Sequence, residues 1–302
     1  MDMTREIRIE EGKLKVVFEI QENGVVELKQ FDSAGRMDVK ERDRGEEDFY
    51  PITEVQITGR GTRGMHAYKH NVSGGATDFV YQSHEVLENE KGKELIIHTA
   101  TEYGVKGEYH MQFYPNVAAV QVWTILKNEG TEEIGLEYVS SFIYQGLCQS
   151  GEKPYFEKTS IYTPHNSWDC ESQWRKNDCR EINLSGMAVN GFNTPGFGMN
   201  RYCYGGHSSW STCEYLPMGI CEDEECKVTY FFQVEHSGQW LIEYGPSTGE
   251  RLYVALSGAT ETEHGWWKNL KPGDTFTTVP AGFGVADGYR GVALQQDRKS
   301  TR

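Results

Sequence analysis

Tryptophan rings beside polar side chains are the residues of this sequence that could most directly do chemistry. Two segments combine them, Asn166–Arg175 and His264–Lys268, each with two tryptophans. The apolar C–H face of a pyranose sugar packs against an indole ring, while its hydroxyl groups need Asp, Asn, Glu or Arg partners. The same rings also fill sandwich cores and domain interfaces. The two segments therefore indicate either a sugar-stacking surface or buried packing.

Paired carboxylates are a second possibility, because glycoside hydrolysis needs two of them facing each other across a sugar. The chain has 45 Asp and Glu residues. Their spacing in a strand-rich sequence does not show which of them face each other, and most acidic residues on strands are solvated. The sequence alone therefore predicts no catalytic pair.

Cysteine and histidine show no metal-binding pattern. All seven cysteines lie between Cys148 and Cys226. Cys213, Cys221 and Cys226 are separated by seven and four residues, and His207 lies six residues before Cys213. The paired C-x-x-C elements of a zinc ribbon do not occur, nor does a phosphate-binding loop or a G-x-S-x-G elbow. We expect ordinary buried thiols, no metal and no cofactor.

The composition argues against nucleic-acid and membrane partners. The 302 residues include 30 Lys and Arg, and the formal net charge of −15 has the wrong sign for a phosphate backbone. No apolar run approaches the roughly 20 residues that span a bilayer, and the first ten residues lack the apolar core of a signal peptide. With an odd number of cysteines and no secretion signal, we expect reduced thiols in a cytoplasmic protein.

Period-two alternation predicts strands along most of the chain. Leu14–Ile20 and Val25–Leu28 flank Asn23-Gly24, which is typical of a tight hairpin turn with two positive-φ residues. Further runs of β-branched and aromatic residues are Lys93–Thr99, Gly107–Tyr114, Ala118–Leu126, Leu136–Tyr144, Val228–Val234, Trp240–Tyr244 and Leu252–Ser257. Since helical periodicity between them is almost absent, they predict an all-β fold of antiparallel sheets packed face to face, with few short helices. Gly151–Tyr215 is less regular and predicts loops with at most a short helix around Asp169–Asn177.

Ordered motifs in the second half of the chain carry a family resemblance. They are Pro164–Trp168, Gln173–Trp174, Trp210–Ser211, Glu214–Gly219, Phe232–Trp240, Leu252–Gly258, Glu263–Lys268, Leu270–Phe276 and Thr278–Pro280. Together they resemble the non-catalytic N-terminal domain of bacterial α-galactosidases of glycoside hydrolase family 36. The resemblance spans about residues 45–290, and its last block looks like the end of that domain, just before the catalytic barrel.

The resemblance implies a β-supersandwich like that of galactose mutarotase. Enzymes of this family hydrolyse terminal α-linked galactose, as in melibiose and raffinose, with retention of configuration. Retention implies an Asp nucleophile and an Asp acid/base about 5 Å apart, and both come from the (β/α)8 barrel that follows this domain. Residues 1–290 would then form the N-terminal domain, and residues 291–302 a polar tail or the start of a linker to a barrel absent from this chain. We expect such a chain to be inactive alone.

The resemblance also implies two sugar contacts. In oligomeric members of the family, the N-terminal domain of one subunit helps to wall the active-site pocket of its neighbour through a Gly-Asp-Phe-like element. Glu47–Pro51 resembles this element, with Glu in place of Gly and Tyr where Arg is frequent. By that match Asp48 accepts hydrogen bonds from a sugar hydroxyl and Phe49 shapes the pocket. Alternatively, Asp48 starts a strand and Phe49 lies in the core. The implied partners are α-galactoside sugars and further copies of the chain.

Two other functions stay open. The sandwich could bind sugar as a stand-alone module, or it could be a mutarotase-like aldose epimerase, since that fold is shared. An epimerase needs a His acid and a Glu base that converge on the anomeric carbon. The available residues are His165, His207, His236, Glu214 and Glu235, and none lies in a recognisable pattern.

Overall fold

Antiparallel strands form nearly all the regular structure of this chain. The computed structural model describes residues 5–33, 50–63, 69–185, 200–247 and 251–289. The strands within these ranges pair antiparallel and form three sheets. This confirms the predicted all-β fold class.

The first sheet is a three-stranded meander at the N-terminus. Its strands are β1 (Arg5–Glu11), β2 (Leu14–Ile20) and β3 (Val26–Ser33). The β2–β3 turn is longer than the predicted two-residue turn, because the Gln21 amide donates to the Val25 carbonyl at 2.9 Å and leaves three residues in the loop. Of Asn23 and Gly24 only Gly24 has a positive φ, +85°, which is typical of three-residue hairpins.

The second sheet has ten strands. In spatial order they are β11 (Gln173–Asp178), β10 (Thr159–His165), β13 (Met218–Asp223), β14 (Val228–Val234), β19 (Ala281–Asp287), β8 (Ala119–Asn128), β7 (Val105–Phe113), β6 (Gly92–Ala100) and β5 (Val80–Asn89), with β18 (Thr275–Thr277) also paired to β8. Strands β5 to β8 follow one another along the chain, so this half of the sheet is a series of local hairpins. The other half is built from later parts of the chain.

The third sheet has six strands and is organised around the longest one. In spatial order they are β12 (Tyr202–Gly206), β15 (Trp240–Ser247), β16 (Arg251–Gly258), β9 (Ile134–Leu147) and β17 (Lys268–Leu270), with β4 (Val55–Ile57) also paired to β9. The second half of β9 pairs with β16, and its first half pairs with β4 and β17. One strand therefore holds this sheet together.

The three sheets share one apolar core, and Phe283 on β19 lies where they meet. Its ring centroid is 4.4 Å from Phe142 on β9, 4.9 Å from Phe31 on β3 and 5.8 Å from Phe232 on β14. All four rings are buried. Burying a phenyl ring contributes about 1.5–3 kcal/mol, so this contact ties the N-terminal meander to both larger sheets.

Residues 169–177 do not form the short helix predicted for them. Asp169 and Ser172 have φ of 60° and 55°, and these left-handed positions turn the chain back so that β11 pairs with β10. The α-helix found within the described ranges is α1 (Glu261–His264), besides two single turns of 3-10 helix. No helix in that part of the chain is long and apolar enough to cross a bilayer.

Candidate functional site

The predicted sugar contacts Asp48 and Phe49 lie outside the described residues. The next residue, Tyr50, is buried, and the guanidinium of Arg251 lies over its ring, 4.9 Å from the centroid. Arg251 also pairs with Glu27 at 3.3 Å. These contacts anchor Tyr50, the residue after Phe49, against the rest of the domain.

A small cavity, about 20 Å³ in volume, is lined in part by Pro51, next to this point. Its threonine hydroxyl groups are engaged: Thr53 bonds to Thr124 at 3.0 Å, and Thr99 donates to the Gly107 carbonyl at 3.3 Å. The Tyr109 hydroxyl is buried without a hydrogen-bond partner, and the other side chains that line the cavity are apolar: Val26, Ile52, Val55, Phe79 and Leu126. A cavity of this size holds about one water molecule and no sugar ring, so we interpret it as a packing space.

The tryptophans of the two aromatic segments differ in burial. Trp168 is 83% exposed and Trp267 is 62% exposed. Trp174 packs against a small cluster on the large sheet, and the ring of Trp266 lies 5.5 Å from that of Phe276. One tryptophan in each segment is therefore partly buried and packs against neighbouring side chains, and the other one is available at the surface.

Trp168 belongs to an aromatic rim that also contains Trp210, which is 66% exposed. We define the rim as the loops 166–172 and 207–217, which carry these two rings. The loops are hydrogen-bonded to each other, because the Asn166 main-chain amide donates to the Glu214 carbonyl at 2.7 Å. The Asn166 side-chain amide donates to the Thr212 carbonyl at 2.5 Å. Two exposed indoles on joined polar loops can stack on flat or sugar ligands.

A buried acid, Glu243 on β15, lies at the centre of a polar network. Its carboxylate accepts hydrogen bonds from the His70 main-chain amide at 2.8 Å and from the Tyr253 hydroxyl at 2.6 Å. It also contacts the His70 ring nitrogen Nδ1 at 2.7 Å and Nη1 of Arg201 at 2.8 Å. The second arm of Arg201 pairs with Glu263 at 2.5 Å. The network joins segments that lie far apart in the sequence.

The electrostatics of the network keep Glu243 ionised. Burial raises the pKa of Glu243, but the attraction of His70 and the hydrogen bonds from His70, Tyr253 and Arg201 outweigh it and lower the pKa to about 2. Burial lowers the pKa of Lys69 to about 8, against the attraction of Glu243. Because His70 is bonded directly to Glu243, no anomeric carbon fits between them. The pair therefore holds the chain near His70 onto the sheet and does not form the acid and base of an epimerase.

Of the histidines and glutamates considered for an epimerase, only His165 and Glu214 are shown near each other among the described residues. Burial and the nearby Arg175 lower the pKa of His165, against the attraction of Glu214. The ring of His207 stacks on that of His264 at 4.9 Å. The other three residues are exposed: Glu214, Glu235 and His236.

Carboxylate pairs in the described ranges meet across cations. Asp223 and Glu225 flank the ammonium of Lys158, at 2.9 and 3.4 Å. The two glutamates bound to Arg201 form another such pair, and Glu6 and Glu19 flank Lys29. In a retaining glycosidase the sugar lies between the two carboxyl groups, whereas here a Lys or Arg side chain occupies that space. Cys226 lies close enough to Asp223 and Glu225 to share a metal ion with them, although the Lys158 ammonium already contacts both carboxylates.

Sequence reasoning missed a row of imidazoles and carboxylates on the outer face of the large sheet. His98 lies directly opposite Glu108 on the neighbouring strand, and His110 follows Glu108 by two residues. The signal in the sequence is the alternation of polar residues within a strand, which places Glu108 and His110 on one face. The pairing of His98 with them required the strand register.

No protein-family model matches this sequence, and no curated protein matches it significantly. Solved structures do match. The GH36 α-galactosidase AgaA from Geobacillus stearothermophilus matches 97% of this chain and 42% of its own, with a TM-score of 0.73 and 13% identity. The fold is that of the N-terminal part of GH36 α-galactosidases. The predicted supersandwich is thereby confirmed.

Two other solved structures agree with this fold. The α-galactosidase from Lactobacillus brevis matches 98% of this chain and 41% of its own, with a TM-score of 0.71 and 10% identity. This chain thus spans about two fifths of the α-galactosidases that it matches. The Slr1438 protein from Synechocystis sp. PCC 6803 matches 95% of this chain and 97% of its own, with a TM-score of 0.53 and 11% identity.

Proposed function

We propose that this chain is the N-terminal domain of an α-galactosidase, which promotes oligomer assembly and walls the active site of a neighbouring subunit. The observation that carries the proposal is the match of 97% of the chain to the N-terminal part of GH36 α-galactosidases. The ordered motifs between residues 164 and 280 support it. A variant of AgaA in complex with raffinose matches this chain with a TM-score of 0.72 and 12% identity. We propose that terminal α-galactosides of this kind are the substrates.

The domain would supply contacts rather than bond-breaking groups. Asp48 would accept a hydrogen bond from a sugar hydroxyl, and Phe49 would shape the pocket wall. The buried ring of Tyr50, the residue after Phe49, lies under Arg251, and this anchoring of the chain next to the two contact residues supports the role. The Asp nucleophile and the Asp acid/base would come from a catalytic barrel outside this chain.

Activity of the chain with and without a barrel tests this proposal. The purified 302 residues should not hydrolyse an aryl α-galactoside, whereas the same residues extended through a catalytic barrel should. Turnover by the 302 residues alone would overturn the proposal. Sedimentation of the extended protein should show an oligomer, and a monomer with full activity would remove the role in walling a neighbour.

A substitution at Asp48 tests the sugar contact. In the extended enzyme, Asp48→Asn should raise KM for raffinose about tenfold or more and leave kcat nearly unchanged, because a hydrogen bond to a charged group is worth about 1.5–3 kcal/mol. The matched control is Glu22→Gln, which removes one charge from the exposed β2–β3 turn. Equal KM values in both variants would contradict the contact.

A second candidate function, sugar binding by the sandwich alone, is favoured by the exposure of the aromatic rim. Calorimetric titration of the chain with galactose, melibiose and raffinose should then give heats that Trp168→Ala abolishes and Trp267→Ala preserves. Flat titrations at millimolar sugar would eliminate this candidate.

We also propose that the protein acts in the cytoplasm. None of its seven cysteines, all within the described ranges, forms a disulfide, which supports a reducing compartment. A fluorescent fusion to the complete protein, with cell fractionation as a second readout, should place it inside the cell, and recovery from the medium would refute this.

A further inference from the structure

Two histidines flank a glutamate on the outer face of the large sheet. His98 on β6 and Glu108 on β7 are cross-strand partners, and His110 lies two residues further along β7. Cross-strand partners lie about 5 Å apart, and alternate residues of a strand share a face, so the three side chains are neighbours. Nδ1 of His98 is 4.0 Å from one carboxylate oxygen of Glu108. Nε2 of His110 is 3.5 Å from the other oxygen.

A further carboxylate holds the opposite nitrogen of each imidazole. Glu94 lies 2.8 Å from Nδ1 of His110, and Glu85 lies 3.2 Å from Nε2 of His98. Histidines that bind metal ions characteristically hydrogen-bond to a carboxylate through one nitrogen, which fixes the tautomer and leaves the other nitrogen for the ion. Both histidines show this arrangement, with the remaining nitrogen directed towards Glu108.

Packing fixes the orientation of the His110 ring, and its Nε2 atom lacks a hydrogen bond. The imidazole stacks on Trp123 with centroids 4.8 Å apart and planes 10° from parallel. The side chain is 10% exposed, and Nε2 is buried without a hydrogen-bond partner. Its contact with Glu108 at 3.5 Å is longer than a normal N–H···O bond. A buried nitrogen in this state is unfavourable, and a bound cation would satisfy it.

We propose that His98, Glu108 and His110 bind a divalent transition-metal ion of the zinc class, with water as a fourth ligand. Ligands of a tetrahedral zinc ion with bonds of about 2.0–2.1 Å lie about 3.3 Å apart, close to the separation of His110 and Glu108. His98 keeps its contact with Glu85, so its Nδ1, which lies 4.0 Å from the Glu108 carboxylate, reaches the same ion only if the Glu108 side chain, 46% exposed, rotates towards it. Imidazole with carboxylate favours zinc over calcium or magnesium. This departs from the expected absence of a metal, which rested on the cysteine spacing.

Metal titration of the chain tests the site. The protein is used without a histidine tag, freed of metal with a chelator and titrated calorimetrically with zinc chloride and with cobalt chloride near neutral pH. We expect one ion per chain, and His98→Ala and Glu108→Gln should each weaken binding about tenfold or more. The control His84→Ala removes an exposed imidazole on β5 and should leave binding unchanged.

Two other groups of side chains are alternative zinc ligands that the experiment must exclude. They are the exposed cysteines and the cluster of Asp223, Glu225 and Cys226 beside Lys158. The exposed thiols are excluded by working in a Cys170→Ser, Cys213→Ser background. Glu94→Gln should weaken binding by about 10- to 100-fold, because that carboxylate only orients His110. Absence of binding at millimolar zinc would overturn the proposal, as would full affinity in the His98→Ala and Glu108→Gln variants or loss of binding in Cys226→Ser alone. The site does not depend on the proposed α-galactosidase role.

Discussion

Replacing Glu243 by Gln tests the buried polar network most directly. The substitution keeps the shape of the side chain but presents an amide NH₂ group to the donors of His70 and Arg201. The pKa of Glu243 in the folded chain is about 2, against an ordinary value of 4.5. This difference corresponds to about 3 kcal/mol in favour of the ionised form. Removing one partner of a buried ion pair costs about 3–5 kcal/mol. We therefore expect the free energy of unfolding to fall by about 3 kcal/mol at neutral pH.

Urea denaturation followed by tryptophan fluorescence measures this change. The matched control Glu263→Gln removes the other carboxylate bound to Arg201, which is 20% exposed, and should cost at most about 1 kcal/mol. Because the pKa of Glu243 is lowered on folding, its contribution is present above about pH 4.5 and is lost as the pH falls towards 2. The difference in the free energy of unfolding between the parent protein and Glu243→Gln should therefore become smaller as the pH falls from about 4.5 towards 2. A loss below about 1 kcal/mol, or a difference that does not vary with pH, would refute this reasoning.

Three further substitutions or reactions have clear expected results. Gly284→Ala places a Cβ 2.3 Å from the ring of Phe231, so the midpoint of urea unfolding should fall by an amount equivalent to about 1–3 kcal/mol, and an unchanged midpoint would contradict the packing. Trp168→Ala should leave the thermal midpoint within error because the ring is 83% exposed, and a large drop would show that it is packed. A thiol reagent should modify Cys170 and Cys213 at once, and the three buried thiols only on unfolding.

Much of the fold could be predicted from the alternation of apolar and polar residues along the strands. The bounds predicted for Leu14–Ile20 and Val228–Val234 agree with β2 and β14, because apolar side chains alternate along both. The strand β11 was missed because it is an exposed edge strand whose residues are mostly polar, so burial imposes no alternation on it. The left-handed residues Asp169 and Ser172, which rule out a helix there, have no strong sequence signal.

The candidate sites were harder to predict because they depend on contacts between distant residues. His70 and Glu243 are 173 positions apart, and nothing in the sequence pairs them. His98 and Glu108 are near in sequence, but only the register of β6 against β7 places them opposite each other. A shift by one residue would have put one of them on the inner face. Local patterns predict strands, whereas the sites require knowledge of which strands adjoin.

The order of strands along the chain has a consequence for synthesis on the ribosome. The hairpins β5 to β8 are complete at Asn128, yet β19, which pairs with the free edge of β8, begins at Ala281. At about 5–20 residues per second, the intervening segment takes roughly 8–30 s to translate. We expect nascent chains stalled within this interval to crosslink to a ribosome-associated chaperone more strongly than shorter or longer ones. The delay in pairing the edge of β8 makes the middle of translation the period of greatest risk of misfolding, because an unpaired strand edge can pair with another chain.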